Sequence, residues 1–531
     1  MKIQKIEIKN LRSFDSNGIT IQNLDDLNLF VGKNNSGKSN VGIALDTIFQ
    51  GLLIKEGWIQ IEGDLNEVDD TFWFNKLTNI KEKPVLIQLS IDSVLYEKDI
   101  KDMLKGLQDN SNKESFIQEN HGSILSIEIN ISLSPNLDRT IVSLKKALLA
   151  NTIIYRQDSG GFHYFNFINY TEEHSKNKPS TPMEVIRNFL KNKFLMIKSN
   201  RMANTKIAEE FESMEKNLNL KKGYIFAKVN GYMKLLFPYL KDSIKTYDYI
   251  RGKELHIEDN LHLPISSYGE GIAQIFTILF YIFRENADIM FIEEPEAYLH
   301  PTLLKKFVGM LEKIAKDESK QFFLVTHSAV PLTVDRINNT YRFSFDKEKG
   351  TKVYTLGKNN INIDRLRQEF NPDSAEIFFT DKVILVEGKE DEYFIEGLFN
   401  RIVVNNNDYK VISVGSNGNF GIYKELLSAF NIPFSIICDG NCLSENYAIK
   451  IISDMLKDQT KLKTIEEKKE YLKSQKIWIL PKEDINDFYP KRFENLPKEP
   501  KRALKVLTEL KQEDINQGEL KILGEIITEA F

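Results

Sequence analysis

The sequence predicts an α/β protein with at least two domains, and three observations support this fold class. The chain has 531 residues, which is more than one hydrophobic core usually serves. A glycine-rich segment lies between a strand pattern and a helix pattern at residues 27–48. From Asp381 onward, short apolar strands alternate regularly with amphipathic helices, which indicates right-handed crossovers and a parallel sheet.

The composition is that of an ordinary globular protein, with 41% hydrophobic and 28% charged residues. No apolar run approaches the ~20 residues needed to cross a bilayer, and the N-terminus alternates like a strand rather than a signal peptide. Two cysteines, Cys438 and Cys442, are too few for a disulfide framework or a four-thiolate zinc site. We therefore expect a cytoplasmic protein without a membrane partner. The net charge of -5 neither supports nor excludes binding to nucleic acid.

The strongest local signal is the segment GKNNSGKS at residues 32–39, a full match to the G-x-x-x-x-G-K-[ST] pattern. It follows the buried-strand pattern Leu27–Val31 and precedes an amphipathic helix, so backbone N–H groups and a helix N-terminus can face phosphates. The pattern predicts an ATP site in which Lys38 neutralises the β- and γ-phosphates and Ser39 binds Mg²⁺. The predicted ATP-binding residues of this segment are Gly32, Asn35, Gly37, Lys38 and Ser39.

A second segment places two carboxylates at the C-terminal end of an apolar strand, ADIMFIEE at residues 287–294. Phosphoryl transfer needs one group to hold Mg²⁺ and another to orient the attacking water. We assign Glu293 to the metal and Glu294 to the water. Taken alone, two glutamates after a strand are more often a solvated turn, so this assignment depends on the neighbouring segments.

Two shorter segments complete the predicted nucleotide site. The strand pattern FFLV at residues 322–325 ends at a polar cluster, where His327 is placed to contact the γ-phosphate. The segment SSYGEG at residues 266–271 precedes a helix, and its Ser267 and Gly269 predict another anion site at a helix N-terminus. A lone histidine or a serine-glycine turn is usually structural, and only the order of the segments favours the functional assignment.

Taken in order, these segments resemble the Walker A, signature, Walker B and switch-histidine set of ABC-type ATPases. In that family two heads sandwich ATP, so the resemblance implies a homodimer or higher homo-oligomer. Tyr268 stands where the familiar signature has its first glycine, and Glu293 replaces the usual Walker B aspartate. The resemblance implies an ATPase domain at residues 1–365, with a helical and dimerising insertion at about 180–245.

Acidic residues also follow two strand patterns in the C-terminal third. Glu387 ends the strand pattern VILV and Asp391 begins the next helix, while Asp439 ends the strand pattern Phe434–Cys438. Because the carboxyl ends of parallel strands share one edge of a sheet, we expect these carboxylates to converge on divalent cations. Two such ions can activate water and stabilise the leaving oxygen of a phosphodiester. An ordinary α/β domain with acidic strand ends is the alternative.

A strand-terminal Glu-Gly followed by a strand-terminal Asp resembles the Rossmann-like Toprim fold of topoisomerases, primases and OLD (overcoming lysogenization defect) nucleases. The second aspartate of that pattern is replaced here by Asn441, which can bind Mg²⁺ with less charge. Asp484 follows the next strand pattern and is expected to join the metal ligands. The resemblance also implies a late catalytic lysine, for which Lys498 and Lys501 are the candidates, in a Toprim domain at residues 376–531.

The combination of both domains resembles the OLD family, including nuclease subunits of Gabija-type defence systems. The N-terminal domain also contains the segment IEEPEAYLHP at residues 292–301. The resemblance implies an ATP-regulated, Mg²⁺- or Mn²⁺-dependent endonuclease or nickase for double-stranded DNA in prokaryotic antiviral defence, with a helicase or other defence partner. Asn441 leaves a second hypothesis open, a regulatory ATPase whose Toprim domain binds nucleic acid or a partner without cutting. A topoisomerase is disfavoured because no segment remains for a tyrosine-bearing cleavage domain.

Overall fold

The structure is a computed structural model that divides into two compact units. One comprises Met1–Pro331 with Asn339–Val353, and the other comprises Leu332–Asn338 with Tyr354–Phe531. Among the described residues, no helix is long and apolar enough to span a membrane. The described residues are 1–51, 87–104, 118, 120–133, 140–149, 152–158, 161–164, 189–190, 192–201, 205–216, 220–240, 244–249, 252–258, 263–284, 287–357, 361–370, 373–402, 408–444, 449–457, 459, 462–493, 496 and 500–531.

The N-terminal unit combines three sheets with helices. Its described strands are β1 (Lys2–Lys9), β2 (Ile19–Gln22), β3 (Leu27–Val31), β4 (Ile87–Val94), β5 (Ile124–Leu133), β6 (Thr140–Leu149), β7 (Thr152–Asp158), β8 (Gly161–Tyr164), β9 (Phe194–Ile197), β10 (Ile244–Tyr249), β11 (Gly252–Ile257), β12 (Ile289–Glu293), β13 (Gln321–Val325), β14 (Thr340–Asp346) and β15 (Gly350–Thr355). Its described helices are α1 (Lys38–Gly51), α2 (Glu97–Leu104), α3 (Thr205–Lys216), α4 (Leu220–Leu236), α5 (Glu270–Arg284) and α6 (Pro301–Asp317).

One of these sheets is antiparallel, with the strand order β2-β1-β4-β5-β6-β7-β8. The N-terminal strand has the alternating pattern expected of a half-buried sheet, because Ile3, Ile6 and Ile8 are buried while the residues between them are partly exposed. The buried residues pack into one hydrophobic core with α1 and a second sheet of six strands. The strands β10 and β11 form a separate hairpin.

The second sheet positions the predicted nucleotide site. Its order is β15-β14-β3-β13-β12-β9, and β3 is parallel to both of its neighbours, β13 and β14. Every residue of β3 is buried, as expected for a strand covered on both faces. The interval of about 180–245, which the sequence predicts to be helical, contains α3 and α4 but also β9, which pairs with β12.

The C-terminal unit contains one parallel sheet of four strands in the order β17-β16-β18-β19, as the alternating pattern predicts. Its strands are β16 (Lys382–Val386), β17 (Tyr409–Ser413), β18 (Phe434–Cys438) and β19 (Ile477–Ile479). Its described helices are α7 (Ile363–Glu369), α8 (Lys389–Ile402), α9 (Phe420–Ala429), α10 (Lys450–Lys457), α11 (Ile465–Ser474), α12 (Pro500–Glu509), α13 (Gln512–Ile515) and α14 (Gly518–Ala530).

The core of the C-terminal unit lies between the sheet and the helices α8, α12 and α14. Phe394 and Leu398 on α8 are buried against Val506 on α12 and Leu523 on α14. Burying each such side chain contributes about 1.5–3 kcal/mol. This packing fixes α8 directly after β16, so the strand-helix junction that carries Glu387 is held in place.

Candidate functional site

The glycine-rich segment curls around the ammonium group of Lys38. Its Nζ donates to the backbone carbonyls of Gly32, at 2.7 Å, and Lys33, at 2.6 Å. Burial lowers the pKa of Lys38 to about 8, against the opposing negative charges of Glu296 and Glu294. The lysine is thus held at the mouth of the loop, and Ser39 follows it in the first turn of α1.

The second glycine of this loop is required by its geometry. Gly37 has a φ of 97°, and a Cβ there would lie 2.6 Å from both Ser13 Oγ and Thr351 Oγ1. Thr351 Oγ1 in turn donates to the carbonyl of Ser36 at 2.9 Å, and Asn40 Nδ2 donates to Ser13 Oγ at 2.9 Å. The N-terminal segment and β15 therefore brace the loop from outside.

Strand register brings the other predicted residues to the same edge of the sheet. Phe30 on β3 pairs with Val325 on β13, and Val325 pairs with Glu293 on β12. The segments that follow β3, β13 and β12 carry Lys38, His327 and Glu294, respectively. The structure therefore brings Lys38, Glu293, Glu294 and His327 together, as the sequence predicts from three separate segments.

The backbone at Glu294 is unusual, because this residue has a φ of 46°. Its N–H donates to the carbonyl of Val325 at 2.8 Å. The guanidinium of Arg201 donates through Nη1 to the carbonyl of Glu293, at 2.7 Å, and through Nη2 to that of Glu294, at 2.9 Å. Both carboxylate-bearing residues are thus fixed through their main chain.

A carboxylate absent from the sequence assignments lies beside His327. Glu296 accepts from the His327 backbone N–H at 2.6 Å and from Thr326 Oγ1 at 2.9 Å. Burial raises the pKa of Glu296, and these hydrogen bonds oppose the shift. The pKa of His327 is lowered by desolvation and by the positive charge of Lys38, so its imidazole is neutral at pH 7.

The remaining predicted nucleotide contacts lie at the start of α5. A single turn of 3-10 helix spans Ile265–Tyr268, Gly269 follows with a φ of 114°, and α5 begins at Glu270. Ser267 and Gly269 are exposed at this helix N-terminus. Both residues are therefore accessible to a ligand or to another chain, while their backbone N–H groups donate to the carbonyls of Pro264 and Ser266.

In the C-terminal unit, the predicted carboxylates follow neighbouring parallel strands. Glu387 follows β16 and Asp439 follows β18, and these two strands are paired in the sheet. The N–H of Gly388 donates to Asp391 Oδ2 at 2.8 Å, which turns Asp391 back toward the strand end. The structure therefore brings these three residues to one edge, as predicted.

Asp484 reaches the same edge through a close backbone contact. The N–H of Gly440 donates to the carbonyl oxygen of Lys482 at 2.8 Å, and a Cβ at Gly440 would lie 2.2 Å from that oxygen. Only glycine permits this approach, which holds the loop after β19 beside Asp439. Asp484 accepts hydrogen bonds from the backbone N–H of Asn486 at 2.9 Å and from its Nδ2 at 2.6 Å.

The electrostatics confirm that these carboxylates are crowded. Burial, followed by repulsion from Asp391 and Asp484, raises the pKa of Asp439 to about 8. Burial and the charges of Asp484 and Glu387 raise the pKa of Asp391 to about 7. The pKa of Glu387 is also raised, first by burial and then by Asp484. Bringing so many acids together without a cation costs stability, and a divalent cation would remove that cost.

The donor atoms fit a hard divalent cation, although the ligands are not preassembled. All the candidate donors are carboxylate or amide oxygens, the type that Mg²⁺ and Mn²⁺ prefer. Within the part of the chain that the structure describes, no group of three acidic, histidine or cysteine side chains already stands in position to hold one ion. Asn441 lies in the 3-10 turn Gly440–Leu443 directly after Asp439.

Comparison with known proteins agrees with this pair of sites. Residues 1–330 match the family model of the AAA ATPase domain. The chain belongs to this AAA ATPase family. Residues 378–440 of this AAA ATPase match a second model, the overcoming lysogenization defect protein-like TOPRIM domain. The predicted combination of an ATPase with an OLD-type Toprim domain is confirmed.

Several relatives of this AAA ATPase are named nucleases. The Endonuclease GajA of Bacillus cereus (strain HuB5-5) is 22% identical, across 93% of this chain and 86% of that protein. The Old nuclease of Escherichia phage P2 is also 22% identical, across 84% of this chain and 78% of that protein. The OLD nuclease of Thermus scotoductus (strain ATCC 700910 / SA-01) is 30% identical, but the match covers only 34% of this chain and 37% of that protein.

Two predicted residues lie wholly or partly outside the described residues, and two further residues join the nucleotide site. Lys498 lies outside the described residues, and Lys501 is in α12 with its side chain outside the description. Arg201 and Glu296 belong to the nucleotide site of this AAA ATPase but were not assigned from the sequence. Arg201 is 92 residues from Glu293, so no local pattern links them. Glu296 lies two residues after Glu294, and its Pro-Glu context was the only available signal.

Proposed function

We propose that this chain is an ATP-regulated, divalent-metal-dependent DNA endonuclease or nickase that acts in prokaryotic antiviral defence. The observation that carries the proposal is the group of partly buried, mutually repelling carboxylates Glu387, Asp391 and Asp439 at the carboxyl edge of the Toprim sheet. Nuclease names among relatives that span most of the chain support the same activity. We further propose a cytoplasmic location, double-stranded DNA as substrate, and a helicase or other defence protein as a partner.

The nucleotide site supports ATP binding and hydrolysis by a defined set of residues. Lys38 and the loop N–H groups bind the phosphates, and Ser39 and Glu293 are placed to hold Mg²⁺. Glu294 orients the attacking water, and the neutral imidazole of His327 donates or accepts a hydrogen bond at the γ-phosphate. Ser267 and Gly269 are exposed at a helix N-terminus, which suits contact with ATP bound to a second copy of the chain.

At the Toprim edge, Mg²⁺ or Mn²⁺ would be held by oxygen atoms of Glu387, Asp391, Asp439, Asn441 and Asp484. The cation supplies activation of water and stabilisation of the leaving oxygen. The chain's own part is to supply these oxygen ligands, which requires Asp391 and Asp439 to release the protons that their raised pKa values favour, and to orient the cleaved phosphodiester. One of two late lysines, Lys498 or Lys501, is proposed to stabilise the charge on the phosphorane.

A second candidate function is a regulatory ATPase whose Toprim domain binds nucleic acid or a partner without cutting. Two observations favour it. Asn441 stands where the Toprim pattern has a second aspartate, which lowers the negative charge available to a metal ion. Among the described residues, no three acidic, histidine or cysteine side chains already stand in position to hold one ion.

Plasmid cleavage separates the two functions. Supercoiled plasmid is incubated with full-length protein, Mg²⁺ or Mn²⁺, and with or without ATP, and nicked and linear products are quantified. The variants are Glu387→Gln at the Toprim edge, Lys38→Ala in the phosphate loop, and Glu425→Gln on α9 as an exposed control.

We expect wild type and Glu425→Gln to cut, and Glu387→Gln to lose cleavage by about a hundredfold or more. The amount of plasmid cleaved by Lys38→Ala, compared with wild type, then shows whether ATP binding promotes or inhibits cleavage. If wild type hydrolyses ATP but leaves every form of DNA intact, the nuclease proposal fails and the regulatory function is supported. Equal cutting by wild type and Glu387→Gln would place the nuclease activity elsewhere.

A further inference from the structure

Arg201 is a buried cation with an unusual set of partners. It follows β9 in the loop at the same sheet edge as the phosphate loop, and it is 6% exposed. Its guanidinium donates to the backbone carbonyls of Glu293 at 2.7 Å, Glu294 at 2.9 Å and Lys198 at 3.0 Å. The side chain thus binds main-chain atoms of both assigned carboxylate residues rather than their carboxylates.

The backbone geometry explains why a guanidinium is needed. Glu294 has a φ of 46°, a left-handed conformation that is strained for a non-glycine residue. This turn directs two consecutive carbonyls, those of Glu293 and Glu294, toward one group. The planar fork of arginine can donate to both at once, whereas a lysine ammonium is a point charge on a flexible stem. Arg201 therefore holds the strained turn in place.

Charge reinforces this contact. Burial lowers the pKa of Arg201 to about 10, while the charges of Glu296, Glu294 and Glu293 oppose the shift. The guanidinium therefore remains charged at neutral pH and lies among three carboxylates. Its positive charge reduces the electrostatic repulsion between them.

A second hydrogen bond connects Arg201 to the helix that begins at the signature segment. Gln274 lies on α5, five residues after Gly269, and is 7% exposed. Its Nε2 donates to the backbone carbonyl of Arg201 at 2.7 Å. Hydrogen bonds therefore connect α5 to the loop of Arg201, and the guanidinium connects that loop to Glu293 and Glu294.

We infer that Arg201 is a positioning residue for ATP hydrolysis, and that Arg201 and Gln274 together couple the signature end of α5 to the Glu293–Glu294 turn. Contact made at Ser267 and Gly269 is then communicated to the residue that orients the attacking water. The inference rests on the proposed ATP hydrolysis, and it adds a route by which occupancy of the signature segment controls that hydrolysis.

Two variants of the full-length protein test the two links. Arg201→Lys keeps the charge but removes the fork, and Gln274→Leu keeps the side-chain volume but removes the hydrogen bond to Arg201. Arg284→Lys is the matched control, because Arg284 is also on α5 and pairs with Glu210 at 2.7 Å away from the site. The measurements are kcat and KM for ATP, ATP affinity with a fluorescent analogue, and the thermal unfolding midpoint.

For Arg201→Lys we expect kcat to fall by about tenfold or more while KM and ATP affinity stay within about threefold of wild type. Gln274→Leu is expected to lower kcat by about threefold or more with the same unchanged affinity. The Arg284→Lys variant should retain both parameters. A fall in kcat at unchanged KM, with an unchanged thermal unfolding midpoint, distinguishes a role in positioning the water-orienting glutamate from a general loss of folded protein.

Other outcomes overturn the inference. A wild-type kcat in Arg201→Lys, or a change confined to KM, contradicts the positioning role. If Arg201→Lys does not fold, Gln274→Leu decides the coupling, and an unchanged kcat in that variant overturns it. If wild type itself does not hydrolyse ATP, the proposed function fails instead, so the two failures are distinguishable.

Discussion

Glu296 Oε1 accepts a 2.6 Å hydrogen bond from the backbone N–H of His327. The other carboxylate oxygen of Glu296 accepts from Thr326 Oγ1 at 2.9 Å. One side chain thus joins the loop after β12 to the loop after β13, and its negative charge also acts on Lys38. The position of His327 is therefore set by a carboxylate from a different strand.

Replacing Glu296 should impair hydrolysis of ATP more than its binding. Glu296→Ala leaves the His327 N–H without its acceptor, and we expect kcat to fall by about 10- to 100-fold. Glu296→Gln keeps an acceptor oxygen and should lose less. Steady-state ATPase rates check this, with the exposed Glu348→Ala as control. Equal rates for Glu296→Ala and wild type would contradict the assigned role.

Two glycine substitutions compare the effect of an added methyl group in the phosphate loop with its effect inside an ordinary helix. In Gly37→Ala the added methyl lies 2.6 Å from Ser13 Oγ and Thr351 Oγ1 at a φ of 97°, so we expect ATP binding to be lost. In Gly309→Ala, within α6, nothing lies within 4 Å of the new Cβ. That variant should bind ATP normally and gain about 0.5–1 kcal/mol of stability. Nucleotide titration and thermal unfolding measure both, and normal ATP binding by Gly37→Ala would refute the expected clash.

The stability of the metal-free protein should fall as pH rises. The pKa of Asp391 is raised to about 7 and that of Asp439 to about 8, above the ~4 of an unfolded aspartate. Between these values the folded state binds more protons than the unfolded state, so unfolding becomes easier with increasing pH until both groups are ionised. We expect the unfolding midpoint in EDTA to decrease from pH 5.5 to 8.5, roughly the window set by these pKa values.

Metal ions and one variant serve as controls for that pH dependence. Mn²⁺ should raise the midpoint most at the alkaline end, because binding requires the deprotonated acids. Asp439→Asn removes one titrating group. The unfolding midpoint of this variant should therefore decrease less with rising pH, and Mn²⁺ should raise it less than it raises that of wild type. A midpoint that rises with pH in EDTA, or equal stabilisation of wild type and variant by Mn²⁺, would disprove the shared carboxylate site.

Restoring the missing aspartate should strengthen metal binding. Asn441→Asp adds one negative charge beside Asp439, and we expect the Mg²⁺ concentration for half-maximal binding to fall by about threefold to tenfold. Calorimetric titration and plasmid cleavage measure the effect, with the exposed Asn431→Asp as control. Cleavage gained by Asn441→Asp over an inactive wild type would favour the regulatory function. No change in metal binding would place residue 441 outside the ligand set.

Strand positions could be predicted closely where an apolar run is bounded by polar residues. Leu27–Val31 and Phe434–Cys438 have the predicted bounds, because every residue of the first and nearly every residue of the second is buried. The first residues of helices are predicted less accurately. The helix predicted from Asp391 begins at Lys389, since Gly388 and the capping side chain of Asp391 set its first turn. Strand β9 was missed within a helical interval because its four residues carry no periodicity of their own.

The candidate sites could be predicted only where a residue lies directly beside a recognisable segment. Lys38, Glu294, His327, Glu387 and Asp439 each follow a strand pattern, so parallel pairing brings them to a common edge. The role of Arg201 depends on main-chain carbonyls that are distant in sequence and on the φ of Glu294. The spacing of residues in the sequence does not predict a contact of this kind.

The sequence by itself determined which chemistry this chain carries: a phosphate loop, strand-terminal acids, and an ATPase followed by a Toprim domain. These features are local, because glycine spacing and apolar periodicity act within a few residues. Only the tertiary structure decided that Arg201 and Glu296 lie at the nucleotide site, and that the loop carrying the predicted ligand Asp484 contacts Gly440 through the carbonyl of Lys482. Those relationships arise when strands distant in sequence pair side by side, and their hydrogen bonds and pKa shifts depend on that packing.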